Sequence, residues 1–232
     1  ADGAIPDDMA QIVQPFIALA HASAVTTTLK LGTSVCLVPE HNPISLAKEI
    51  ATLDYFSKGR VLFGIGSGWL KEETELYGIK FEDRAAVMRE SVLAMKELWT
   101  KDQSEFHGRF IDFPAIKCFP KPVQKPHPPI FLGGRAKNVF RRVVSWGDGW
   151  MPTRTTPQEI EQGRREIDRL AREAGRDPSS IEISVHGQTG EPELLRDFES
   201  AGAQRAMISL PRGASEDNAL AALEEIAGKV LT

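Results

Sequence analysis

Apolar residues change their spacing repeatedly along this chain, and the alternation predicts strands and helices in turn. Proline at position 15 opens a helix that runs to residue 25 and carries Phe16 and Leu19. Residues 30–38 are rich in β-branched side chains and poor in charge, the pattern of a strand buried in a parallel sheet. Residues 44–56 return to helical spacing, with Leu46, Ile50 and Leu53 on one side. The turn Ser57-Lys58-Gly59-Arg60 leads into a strand at 61–65, which runs straight into Gly66-Ser67-Gly68. The clearest helix covers 84–99, where Met88, Val92, Met95 and Trp99 recur at steps of three and four. Further strands are predicted at 130–132, 148–151, 181–185 and 206–210. Helices are predicted at 139–146, from 157 to near Gly175, at 191–200, and around Leu220, Leu223, Ile226 and Val230. Thr156-Pro157-Gln158-Glu159 reads as a capping box with proline in the first turn.

Strand-like runs followed by helix-like material argue for βαβ units and a parallel sheet. The pattern alone fits an open doubly wound sheet, and equally strands three to eight of a barrel. The rhythm breaks over about residues 104–128, an irregular or hairpin excursion. Pro114 and the prolines between Pro120 and Pro129 keep that stretch extended. One domain is expected over the 232 residues.

Composition narrows the class of partner. Hydrophobic residues make up 41% and charged residues 26%, ordinary for a soluble globular protein. The net charge of -4 comes with no basic stripe, which argues against nucleic acid. Arg141-Arg142 and Arg164-Arg165 lie in helix-like stretches and read as solvated faces. No apolar run reaches the ~20 residues of a membrane span. The opening Ala-Asp-Gly-Ala-Ile-Pro-Asp-Asp is polar, turn-like and unlike a signal peptide; it lacks an initiator Met. Cys36 and Cys118 form no metal spacing and no disulfide framework, which fits a reducing, cytoplasmic setting.

Candidate chemistry gathers at predicted strand ends, where parallel α/β proteins receive their ligands. Gly64-Ile65-Gly66-Ser67-Gly68-Trp69 places glycine at every second position, so it is not a dinucleotide fingerprint, and it lacks a Walker lysine. It reads either as a tight turn or as a backbone cradle for a phosphate or a flat ring. Trp69 is a core anchor or a pocket wall. Phe131-Leu132-Gly133-Gly134-Arg135 precedes a predicted helix, so free N–H groups and Arg135 can receive a phosphate, or the segment is a plain turn with a surface arginine. Thr33-Ser34-Val35 is locally an ordinary strand. The five histidines are scattered and predict no metal site. Ser67 has glycine on both sides, which is not the nucleophile elbow. Asp54, Glu72, Glu73 and Asp83 read as helix-face or cap residues, with a catalytic acid as the alternative.

Taken in order, several blocks resemble the luciferase-like monooxygenase superfamily, especially its coenzyme F420-dependent oxidoreductase branch. They are Leu31-Gly32-Thr33-Ser34-Val35, Asn42-Pro43 with Leu46-Ala47-Lys48, and Ala51-Thr52-Leu53-Asp54 through Val61. The Gly64–Trp69 block follows, then Phe106-His107-Gly108-Arg109-Phe110, Lys121-Pro122-Val123-Gln124, Pro128 through Gly134, and Gly147-Asp148-Gly149-Trp150. The resemblance implies a (β/α)8 TIM barrel whose first two β/α units are absent from the sequence. It implies a non-proline cis peptide at Ser34-Val35 beneath a deazaflavin ring. It further implies a cradle at Gly66, Ser67 and Gly68, and a phosphate site at Gly133, Gly134 and Arg135 that Met151 to Thr153 closes. The expected function is hydride transfer between coenzyme F420 and a small organic substrate. An FMN-dependent monooxygenase and a non-catalytic cofactor-binding barrel are the alternatives. A homodimer is expected, and no catalytic acid or base is assigned.

Overall fold

The computed structural model describes residues 12–211 and 213–231. It divides into two compact units, Ile12–Ile130 and the described residues of Phe131–Thr232.

In the first unit, helix α1 (Pro15–Val25) begins at proline, and the Gln14 side chain accepts the Ile17 N–H. The strand expected over 30–38 is interrupted. It forms β1 (Leu31–Gly32) and β2 (Cys36–Leu37), both parallel to β3 (Val61–Gly66). Gly32 pairs with Leu62 and Cys36 with Ile65, so β1–β2 carries one more residue than β3 across the gap, as in a bulge. The Thr33 hydroxyl donates to the Gly64 carbonyl at 2.7 Å and holds the interrupted stretch to β3. A short 3-10 turn (Val38–Glu40) leads to α2 (Pro43–Ser57), where the Asn42 side chain caps the Ile44 and Ser45 N–H groups.

After β3 comes a helix that the periodicity did not predict, α3 (Lys71–Leu76). The long helix α4 (Arg84–Thr100) buries Met88, Val92, Met95 and Trp99, as its spacing requires. Trp99 meets Phe63 edge-on and donates from Nε1 to the Ala47 carbonyl at 2.9 Å, so α4, β3 and α2 share one core. The excursion is an antiparallel hairpin, β4 (Ser104–His107) with β5 (Asp112–Ile116). Glu90 of α4 holds its tip by accepting the N–H groups of Arg109, Phe110 and Ile111. The proline-rich return is tied down by Asp54, fully buried, which accepts from the Gln124 N–H at 2.9 Å and Nε2 at 2.7 Å.

The second unit repeats strand and helix. Its strands are β6 (Ile130–Gly133), β7 (Gly149–Met151), β8 (Glu182–Gln188) and β9 (Arg205–Ile208), parallel and adjacent in that order. They alternate with α5 (Val139–Trp146), α6 (Pro157–Glu173), α7 (Pro192–Ser200) and α8 (Glu216–Val230). The capping box at Thr156 and Glu159 is present. Phe131, Leu132, Trp150, Ile183 and Val185 from the strands are buried, as are Val143, Ile160, Ile167 and Phe198 from the helices. No described helix is long and apolar enough to cross a membrane.

Candidate functional site

The first unit's candidates meet where the stretch leading into β2 runs beside the carboxyl end of β3. The register sets Leu37 opposite Gly66, which brings Val35 against the glycine turn. The Ser34–Val35 peptide bond is cis. A Cβ on Gly66 would lie 2.8 Å from Val35 Cγ2, so glycine is required there by close approach. Gly68 has φ +82, and its Cβ would stand 3.2 Å from Thr74 Oγ1 and 3.6 Å from Glu40 Oε1. The turn is braced from outside: Arg84 Nε donates to the Gly68 carbonyl at 3.1 Å, and its guanidinium lies over the Phe81 ring. Trp69 is 58% exposed and Val35 36%, so Trp69 stands as a wall of the turn rather than a core anchor.

Glu40 sits beside this turn, and sequence reasoning passed over it. Its Oε1 is buried without a hydrogen-bond partner. Burial first, and the Glu73 charge second, push its carboxyl up to about 7. Next to it, burial holds His41 below its usual range, with Glu49 opposing. Glu40 and His41 line a cleft of about 550 Å³ with Tyr77, Lys80, Asp83 and Phe110. Cys36 is pushed up to about 12 by burial, then by Glu49 and Glu40, and is an inert thiol.

In the second unit, Gly133 ends β6, and Gly134 follows at φ +93 with open space where a Cβ would be. Trp150 Nε1 donates to the Gly134 carbonyl at 2.9 Å and fixes that turn. Arg135 is already engaged. It donates to the Arg154 carbonyl at 2.6 Å and pairs closely with Glu159, the capping-box carboxylate. An anion reaching Arg135 must compete with that pair. Met151 is buried in β7, opposite Gly133 of β6. Thr153 is exposed and bridges to His186 at the end of β8. A Cβ on Gly187 would lie 3.8 Å from Thr153 Oγ1 and 3.9 Å from Ser209 Oγ. Thr153, Gly187 and Ser209 therefore converge at the ends of β7, β8 and β9. The sequence flagged only the first of these; a glycine and a serine directly after strand-like runs were the available signal. No group of side chains suited to a metal occurs among the described residues.

Both units thus carry glycines and hydroxyl side chains at strand carboxyl ends, where barrel-class α/β proteins bind ligands. The chain belongs to the luciferase-like monooxygenase family, whose profile matches residues 2–190. Proteins of this family are oxidoreductases and monooxygenases. An uncharacterized protein of Mycobacterium tuberculosis is 36% identical over 99% of this chain and 80% of its own length. An FMNH2-dependent dimethylsulfone monooxygenase of Pseudomonas putida is 30% identical over 73% of this chain and 47% of its own. Among solved structures, an F420-dependent secondary alcohol dehydrogenase in complex with an F420-acetone adduct superposes with a TM-score of 0.81. It is 19% identical, over 97% of this chain and 86% of that one. That likeness shows the fold, an α/β structure of the luciferase-like TIM-barrel kind.

Proposed function

We propose that this chain is an F420-dependent oxidoreductase that moves a hydride between the deazaflavin and a small organic substrate. A bound deazaflavin supplies a two-electron hydride donor or acceptor at its central ring carbon. The residues present fit such a group. Gly66 has no room for a side chain beside Val35, which gives the ring a close, flat apolar approach. The backbone of Gly66, Ser67 and Gly68 offers hydrogen-bonding groups at its edge. Thr153, Gly187 and Ser209 offer hydroxyls and a left-handed backbone turn suited to phosphate oxygens. Gly133 and Gly134 add a second open backbone turn.

The observation that carries the reading is the close approach of Gly66 to Val35, which leaves a flat apolar seat for a ring beside the Gly66–Gly68 backbone. The choice of F420 rests on the likeness to the F420-dependent secondary alcohol dehydrogenase. The FMN-dependent reading rests on the 30% identity to the dimethylsulfone monooxygenase. Fluorescence titration of the full chain with oxidised F420, and separately with FMN, tests the proposal. Preference for F420 is expected. Preference for FMN would move the assignment to a monooxygenase. Tight binding with no turnover across a broad substrate panel would make the chain a cofactor-binding barrel.

A further inference from the structure

Reduction of a carbon–oxygen or carbon–nitrogen double bond by hydride needs a proton as well. We propose that Glu40 is the acid of this site, holding that proton and passing it to the heteroatom of a neutral carbonyl or imine substrate; the inference rests on the hydride-transfer reading above. Three observations lead to Glu40. It lies three residues past β2, the short strand that begins directly after Ser34 and Val35. Its Oε1 is closed off, without a hydrogen-bond partner, against the Gly68 turn. The same residue lines the 550 Å³ cleft, which gives a path for proton exchange with solvent.

An unpartnered buried carboxylate oxygen is costly, and a proton on the group removes most of that cost. The charged surroundings do not reverse this. Glu73 of α3 adds negative charge, and Glu49 of α2 acts on the adjacent Cys36 and His41. Asp83 and Lys80 face the same cleft, and Asp83 pairs with Arg109 at 3.7 Å. Arg84, at the start of α4, is spent on the Gly68 and Phe81 carbonyls. Val87 and Ser91 are what α4 otherwise turns to the cleft. No ion pair reaches Glu40 among the described residues.

The step balances simply. A bound reduced deazaflavin would supply the hydride for the new bond at the substrate carbon and be left oxidised. The π pair of the double bond moves to the oxygen or nitrogen, which takes the Glu40 proton. Glu40 is left as a carboxylate and regains a proton from water in the cleft. In the oxidative direction Glu40 starts as the carboxylate and accepts the proton. The acidic lining disfavours a substrate with its own negative charge near the reacting carbon.

The test is a carbon NMR titration of the full chain labelled at glutamate carboxyls, as wild type, E40Q and E73Q. One carboxyl should titrate near 7, vanish in E40Q, and move toward the ordinary glutamate range in E73Q. If no glutamate titrates above the ordinary range, the proposal fails. The titration is then repeated with saturating oxidised F420, binding being followed independently by fluorescence. An acid that faces the site should shift its midpoint, whereas a Glu40 that only fills the packing behind Gly68 would keep it, and that outcome overturns the catalytic role. If neither F420 nor FMN binds, the fluorescence shows that the cofactor reading has failed, and the catalytic role falls with it; the apo titration still reports the proton. Thermal unfolding gives a further readout. A carboxyl raised in the folded state destabilises it progressively as pH climbs from about 4.5 to about 7. Wild type should therefore lose stability relative to E40Q across that window.

Discussion

Replacing Gly66 with alanine probes the site at its narrowest point. The φ of Gly66 lies outside the left-handed region, so the backbone itself accepts an L residue there. The obstacle is space. The new Cβ would lie 2.8 Å from Val35 Cγ2 and 3.4 Å from Leu37 Cδ2. Carbon atoms in favourable contact sit about 3.5–4.0 Å apart, so roughly 1 Å of overlap with Val35 must be relieved. Overpacking of this size costs about 1–3 kcal/mol. Relief requires Val35 to turn or shift, and Val35 is the apolar surface on which the ring would rest. If that cost falls on binding, the dissociation constant for F420 rises about ten- to a hundredfold. The assay is fluorescence titration of wild type and G66A, with thermal unfolding to confirm that both are folded. Val35→Ala removes the clashing Cγ2, so the losses of G66A and V35A should combine less than additively in G66A/V35A, a coupling read from the full double-mutant cycle. Unchanged affinity in G66A would refute the placement of the ring beside this turn. Fully additive losses in the cycle would show that the Val35 contact is not the cause.

Thr153→Ala and Ser209→Ala each remove one hydroxyl from the second unit's strand ends. Each should weaken cofactor binding about two- to tenfold, the worth of one hydrogen bond, without moving the unfolding midpoint appreciably. A change in neither would take the phosphate away from that place. Asp54→Asn leaves one acceptor oxygen for two Gln124 donors and turns an NH2 group toward the other, so a stability loss of about 2–4 kcal/mol is expected in urea unfolding. An unmoved midpoint would contradict that tie. Glu90→Gln tests the hairpin anchor by pH. Burial lifts the Glu90 carboxyl, but the Phe110, Ile111 and Arg109 N–H groups, with the Arg89 charge, outweigh it and hold the group below its usual range. A lowered carboxyl stabilises the fold above its ordinary value and loses that contribution as pH falls through the folded value. E90Q should therefore be the less stable form at neutral pH, with the gap closing in acid; a gap independent of pH would overturn the account.

Local periodicity made much of the fold legible. The helix expected at 84–99 is found at Arg84–Thr100, and the capping box at Thr156 forms as written. Both signals act within a few residues of one another. The strand predicted over 30–38 is interrupted for the opposite reason. Its β-branched run looks continuous, but the break at Thr33–Val35 is set by the register with β3 and by the Thr33 hydroxyl on the Gly64 carbonyl, a partner far along the chain. Helix α3 has too few residues to show a period. The excursion was recognised, but its hairpin geometry depends on Glu90, which no local pattern announces.

The site divides along the same physical line. Glycine advertises close backbone approach in the sequence itself, so Gly66, Gly68, Gly133 and Gly134 could be marked as candidates. An acid does not advertise its protonation. Val38-Pro39-Glu40-His41 reads as a plain turn, and Glu40 becomes unusual only when folding buries Oε1 behind Gly68 and brings Glu73 near. Thr153, Gly187 and Ser209 likewise become neighbours only through the parallel register of β7, β8 and β9. In a fold whose ligands meet strand ends, backbone-driven features are read along the chain, whereas proton-bearing and hydroxyl groups are read across it. The proposed acid is accordingly the part of such a site that sequence motifs leave out, and its orphaned carboxylate oxygen is the structural mark that sets Glu40 apart.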